Sequence, residues 1–135
     1  MNLPQLLFSF DGRIGRAAYA GGSLLNFVVM LAAMGLLMYL RLYWTLPEPF
    51  NLKDGSLLSL TLITVIIALF HVVQLALTAK RLHDLGITGW VSLLMIAPGP
   101  SLIMAVVLML LHGDNEDNRY GPPPTTSNLA PAHRT

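Results

Sequence analysis

Eight polar residues in three short stretches carry most of the chemistry open to this chain: Arg13 and Arg16 in FDGRIGRAAY, Lys80, Arg81, His83 and Asp84 in KRLHDLGITGW, and Asn118 and Arg119 in NRYGPPP. Cationic side chains next to glycine turns suit phosphates and carboxylates, and backbone groups near Gly86 and Gly89 can add donors. These eight residues form a candidate interfacial polar site for anionic lipid headgroups or for a partner protein. His83 beside Asp84 also admits an acid–base pair, but neighbours on a helix point apart, so the two cooperate only where the chain has left the helix. The plainer reading makes the stretch a cap, with His83 bonding a carbonyl and Arg81 pairing with an acidic neighbour.

A second polar set is buried in apolar sequence. Thr64, His71, Gln74 and Thr78 follow helical spacing and form one stripe, which Asn26 on an earlier apolar run can join. Polar groups facing lipid are costly, so this stripe is expected to face the bundle interior, either as a proton or solute path or as hydrogen bonds that hold helices together.

Other chemistries are poorly supplied. The chain has no cysteine, which removes disulfides and zinc–thiolate sites. His71 and His83 show no paired metal-ligand spacing, and the acidic run Asp114 to Asn118 lacks the spacing and closing glutamate of a calcium loop. Glu48 and Asp54 lie in an irregular loop that does not fix their separation. No cofactor is expected. A formal charge of +1 with no basic stripe disfavours nucleic acid as a partner.

The elements that must position these residues follow from composition. Of 135 residues 54% are hydrophobic and 11% charged, against about 25% charged in a soluble domain. The expected fold is an all-α integral membrane protein, a small bundle of three hydrophobic segments at about 17–40, 57–79 and 90–111. The first two runs make roughly 36 and 34 Å of helix, enough to cross a bilayer. The third is broken at Pro98, Gly99 and Pro100, so it either crosses once as a broken helix or enters and returns as a re-entrant hairpin. Residues 1–124 form one multi-pass domain, and the proline-rich 125–135 are expected to be disordered. Ala18, Gly22, Asn26, Val29 and Ala33 give the first run a narrow face for close packing. Arg13 and Arg16, three apart, are read as one helix face or as a positive flank.

Orientation follows lysine and arginine. Arg13, Arg16, Lys80 and Arg81 fall on one side and Arg41 and Lys53 on the other, which places the N-terminus in the cytoplasm. Membrane lipids are the expected partners, with a homo-oligomer or a membrane partner protein beside them.

The three stretches resemble a known family, the YhaH-type small bacterial inner-membrane proteins grouped as domain of unknown function 805. The resemblance rests on Phe10, Gly12, Arg13, Arg16 and Tyr19, on Arg81 to Asp84 with Gly86, Gly89 and Trp90, and on Asn118 to Pro122 with Pro124. Lys80, Thr88 and Ala20 depart from the family's usual arginine, serine and tryptophan. The resemblance implies a multi-pass inner-membrane protein and assigns no reaction. From the residues themselves, a non-enzymatic structural or interaction role comes first, an oligomeric small-solute or proton transporter second, and an enzyme on a lipid-linked substrate third.

Overall fold

The described residues form four α-helices and one 3₁₀ helix. The structure, a computed structural model, describes residues 3–43 and 56–124. The loop residues Trp44, Glu48, Lys53 and Asp54 and the tail 125–135 lie outside the described residues. The elements are α1 (Leu3–Phe8), α2 (Arg16–Tyr43), α3 (Ser56–Asp84), a 3₁₀ helix (Gly89–Ile96) and α4 (Pro98–Leu110). No strand occurs among the described residues.

Among the described residues two helices contain runs long and apolar enough to cross a bilayer, Arg16–Leu40 in α2 and Leu57–Asp84 in α3. Only 6% of the first window and 22% of the second is buried within the chain, so internal packing does not account for their apolar character. Where α2 and α3 meet, small residues allow close approach. A Cβ at Gly22 would lie 3.0 Å from Leu77, and Tyr19, Val73, Leu77, Leu82, Ile14 and Leu108 form the buried cluster around that crossing. The packing face of α2 runs through Tyr19, Gly22 and Asn26, so Gly22 and Asn26 lie on the face read from the sequence, while at its start Tyr19 is buried and Ala18 exposed.

α3 runs through Lys80, Arg81 and His83 to Asp84, so the stretch read as a surface connection begins as a helical turn. It stops at a Schellman motif. Ile87 N–H donates to the Leu82 carbonyl at 2.9 Å and Gly86 N–H to that of His83 at 3.1 Å, with Gly86 at φ 70°, a conformation that suits a residue without Cβ.

The third apolar run turns at Ala97, which is extended at φ −84°, ψ 124°, as expected of a residue before proline. Pro98 and Pro100 sit in the first turn of α4, where a missing N–H leaves no helical bond unmade. The break therefore lies just before the prolines, and they start a helix instead of kinking one. The 3₁₀ helix measures roughly 16 Å and α4 roughly 20 Å, each short of the ~30 Å hydrocarbon core. Gly89, at the start of this run, lies against Ala79 and His83. After α4, Asp114 N–H donates to the Asp84 carbonyl at 2.8 Å. The run leaves the C-terminal end of α3 and returns to it, a hairpin.

Gly113 holds the return. A Cβ there would overlap the Asp84 carboxylate, whereas nothing lies within 4 Å of one at Gly35. Gly113→Ala is expected to lose about 1–3 kcal/mol of stability, and Gly35→Ala to hold or gain about 0.5–1 kcal/mol from helix propensity. Thermal melts in detergent micelles compare the two, and equal melting temperatures would contradict this packing of the return.

Candidate functional site

A carboxylate is out of place at the last residue of a helix, where the macrodipole is already negative. Asp84 occupies that position in α3, and two guanidinium groups compensate it. Arg81, one turn earlier on the same face, pairs through Nη1 with Oδ2. Arg13 arrives from the loop between α1 and α2, its Nε donating to Oδ1 at 3.1 Å and its Nη2 lying 3.1 Å from the same oxygen. Lys80, the neighbour of Arg81 on the adjoining face of α3, is buried as well. Relative exposure is 6% for Arg13, 0% for Lys80 and Arg81, and 2% for Asp84, so water does not screen these charges.

Three cations against one carboxylate leave an excess of positive charge, which seven main-chain carbonyls meet. Arg13 Nη1 donates to Glu116 and Gly121, each at 2.9 Å, and its Nη2 to Asp114. Arg81 donates through Nε to Leu108 at 3.0 Å and through Nη2 to Leu111, carbonyls at the end of α4. Lys80 Nζ donates to Gln5 at 3.0 Å and to Leu6, in the last turn of α1. Helix ends leave such carbonyls without intrahelical partners. Lys80 thus caps α1, Arg81 caps α4, and Arg13 fastens the segment after α4.

This geometry corrects three expectations. Arg13 and Arg16 share no helix face, because α2 begins only at Arg16, which is exposed while Arg13 is buried. Arg13, Lys80 and Arg81 do not present charge at a surface: a phosphate could reach them only by displacing the acceptors just named. His83 and Asp84 are both helical and point apart, so they form no acid–base pair. His83 Nδ1 lies 3.2 Å from the Gly12 carbonyl, and its ring stacks on Tyr120 with centroids 3.8 Å apart and 9° between planes.

Asn118 and Arg119 sit in the turn that brings Tyr120 there. Asn118 donates to the His83 carbonyl at 2.9 Å and accepts from Tyr120 N–H at 2.9 Å. Arg119 is exposed, its guanidinium 4.8 Å from the Tyr120 ring centroid and 3.4 Å from the Gly86 carbonyl. Of the eight candidate residues, Arg13, Arg81 and Asp84 make direct ion pairs, Lys80 lies beside them in the buried turn, His83, Asn118 and Arg119 form an outer layer, and Arg16 is exposed at the start of α2, near enough to Arg81 for like-charge repulsion.

The polar stripe divides. Asn26 donates to the Phe70 carbonyl at 3.1 Å and to Gln74 at 3.4 Å, Gln74 donates to Ser23 at 3.2 Å, and Thr78 lies 3.5 Å from the Tyr19 hydroxyl. Thr64 and His71 do not face inward with them. Each bonds the carbonyl four residues back on its own helix, at 2.8 Å, which satisfies the polar group without a partner helix. Tyr19 and Ser23 are the members that stripe reasoning missed. Both lie one turn from Asn26 or Gly22, and the signal was the helical spacing of Tyr19, Ser23 and Asn26. Among the described residues no group of three or more His, Asp or Glu side chains is placed to hold a metal ion.

A family model described as "Protein of unknown function (DUF805)" matches residues 7–122, taking in FDGRIGRAAY, KRLHDLGITGW and NRYGP. No curated protein and no solved structure matches the chain.

Removing the carboxylate should expose the function of the cluster. Asp84→Asn leaves buried cations uncompensated and is expected to cost about 3–5 kcal/mol. Arg81→Lys should not restore the wild-type melting point, since one ammonium cannot reach the three acceptors a guanidinium spans. His83→Ala removes one hydrogen bond and one stacked ring and should cost only about 1–2 kcal/mol. Thermal melts in micelles rank the three, and an Asp84→Asn protein as stable as the parent would refute the role given to this carboxylate.

Proposed function

The chain belongs to the DUF805 family, and from that premise we propose that it is a non-enzymatic, multi-pass protein of a bacterial inner membrane, acting as an interaction scaffold with one polar end. In this reading α2 and α3 cross the bilayer, while the 3₁₀ helix and α4 enter and return. The N-terminal loop, the end of α3 and the NRYGP turn then share the cytoplasmic side, as the placement of Arg13, Arg16, Lys80, Arg81 and Arg119 against Arg41 and Lys53 favours.

The observation that carries this reading is the meeting of Arg13 and Arg81 with the Asp84 carboxylate and with the carbonyls of residues 108–121, because it ties all three stretches to one end of α3. Outward-facing apolar side chains along α2 and α3 support the bilayer as their solvent. The buried cluster is the framework, and the working surface is what it holds in place: His83, Tyr120 and Arg119, offered to a lipid headgroup or a partner protein. A transport role draws less support, since Asn26, Gln74 and Thr78 are spent on Ser23, Tyr19 and the Phe70 carbonyl. An enzymatic role loses the His83–Asp84 pair on which it was based.

Compartment-sensitive reporters fused at the N-terminus and after Pro124 test the arrangement. Both are expected to report the cytoplasm. A periplasmic C-terminal reporter beside a cytoplasmic N-terminal one would mean three full crossings and would overturn the one-sided site.

A further inference from the structure

Beside His83 a groove of about 540 Å³ opens between the N-terminal loop, α3 and the 3₁₀ helix, within the size range of small-ligand sites. Its lining has one formal charge, the carboxylate of Asp11. That carboxylate is exposed, and among the described residues it makes no ion pair. Two aromatic rings stand with it: Phe10 is 47% exposed and Trp90 78%, an unusual amount of indole to leave uncovered. A carboxylate next to open π faces is an environment that attracts a cation, above all an ammonium.

The groove has a polar end and an apolar end. Leu75 lies two turns before His83 on α3, roughly 12 Å toward the middle of the helix, and Leu93 faces the groove from the 3₁₀ helix. Arg119 is next to the polar end, over Tyr120, which is itself part of the lining. Its hydrogen bond to the Gly86 carbonyl is long, 3.4 Å, and its guanidinium is exposed. Gly89 lets the 3₁₀ helix pack closely on His83 at this end, since a Cβ there would lie 2.8 Å from His83 Nε2.

We propose that this groove binds an aminophospholipid. The ammonium lies between Asp11 and the rings of Phe10 and Trp90, the phosphodiester turns toward Arg119, and an acyl chain follows Leu75 and Leu93. A zwitterionic headgroup fits the order of charges, negative at Asp11 and positive at Arg119, better than an anionic one, which would meet Asp11 without a counter-charge. The proposal rests on the membrane reading above, and it names the ligand of the surface described there.

Tryptophan fluorescence reads the site directly. In a Trp44→Phe background Trp90 is the remaining tryptophan of the chain's two. The protein in maltoside micelles is titrated with phosphatidylethanolamine, phosphatidylglycerol or soluble phosphoethanolamine. Phosphatidylethanolamine is expected to saturate the Trp90 signal at a mole fraction about fivefold below phosphatidylglycerol, and Asp11→Asn to remove about tenfold of that affinity. Arg119→Gln should weaken phosphatidylethanolamine but not dodecylammonium, which has no phosphate. Native mass spectrometry of the unsubstituted protein should show retained phosphatidylethanolamine in excess of phosphatidylglycerol.

Equal binding of the two lipids, indifference to Asp11→Asn, or absence of a saturable phosphatidylethanolamine signal would each overturn the proposal. Soluble phosphoethanolamine binding as tightly as the lipid would overturn its assignment to a membrane amphiphile. Micelles expose both ends of the protein, so this titration is blind to topology: a periplasmic reporter after Pro124 with a positive titration would sink the one-sided arrangement and spare the groove.

Discussion

The Asp84 carboxylate, held between Arg13 and Arg81 away from water, is the constraint from which the arrangement of this chain follows. A buried carboxylate needs cations, and two buried guanidinium groups need more acceptors than one carboxylate provides. The surplus is met by helix ends. α1 and α4 offer terminal carbonyls to Lys80 and Arg81, the segment after α4 offers its own to Arg13, and α3 adds the partial negative charge of its C-terminal end. Three helix termini that would otherwise repel one another are gathered around Lys80, Arg81 and Arg13. The cations explain the convergence of helix ends, and the helix ends explain how so many cations can be buried.

Such a cluster does more for specificity than for stability. Replacing a complete buried ion network with apolar residues is often neutral, while removing one member leaves a charge stranded. That asymmetry suits a chain whose apolar faces are nearly interchangeable. Between α2 and α3 the register rests on Gly22 against Leu77 and on a few polar links, Asn26 to the Phe70 carbonyl and Gln74, Gln74 to Ser23, and Tyr19 with Thr78. An error of one residue in how the hairpin returns would strand Arg13 without Gly121 and Arg81 without Leu111. The polar end therefore selects a single arrangement from many apolar ones, as a register-setting polar residue does in a coiled coil.

The two long helices were legible in the sequence because absence of charge over more than 20 residues is a strong signal. So was the importance of the three motifs, since buried ionisable residues are rare enough to stand out. Their geometry was not. Arg13 and Arg16 look equivalent at a spacing of three, yet one is the most committed donor in the structure and the other is exposed. The difference comes from where α2 begins: Arg13 precedes it, in a loop whose Ile14 N–H reaches the Lys80 carbonyl at 3.4 Å, and Arg16 is its first residue. The proline break was visible, but its course was not: whether the run crosses or returns is decided by Gly113 and Asp114 meeting Asp84, contacts across about 30 residues that no local pattern encodes. Thr64 and His71 fitted the stripe by spacing alone, and spacing cannot tell a bond to the next helix from one to the preceding turn.

The last turn of α3 separates framework from working surface within five residues. Arg81 and Asp84 are three apart and share one face, turned toward Arg13 and the end of α4. Lys80 and His83, also three apart, share another, with Lys80 under α1 and His83 toward Gly12, Tyr120 and the groove. Helical geometry forces this division: a residue that joins the buried cluster cannot also face the groove, and its neighbour can. The ionisable residues that look catalytic in sequence are occupied in holding the fold, and chemistry with the surroundings passes to the few side chains beside them that remain open: Asp11, Trp90 and Arg119.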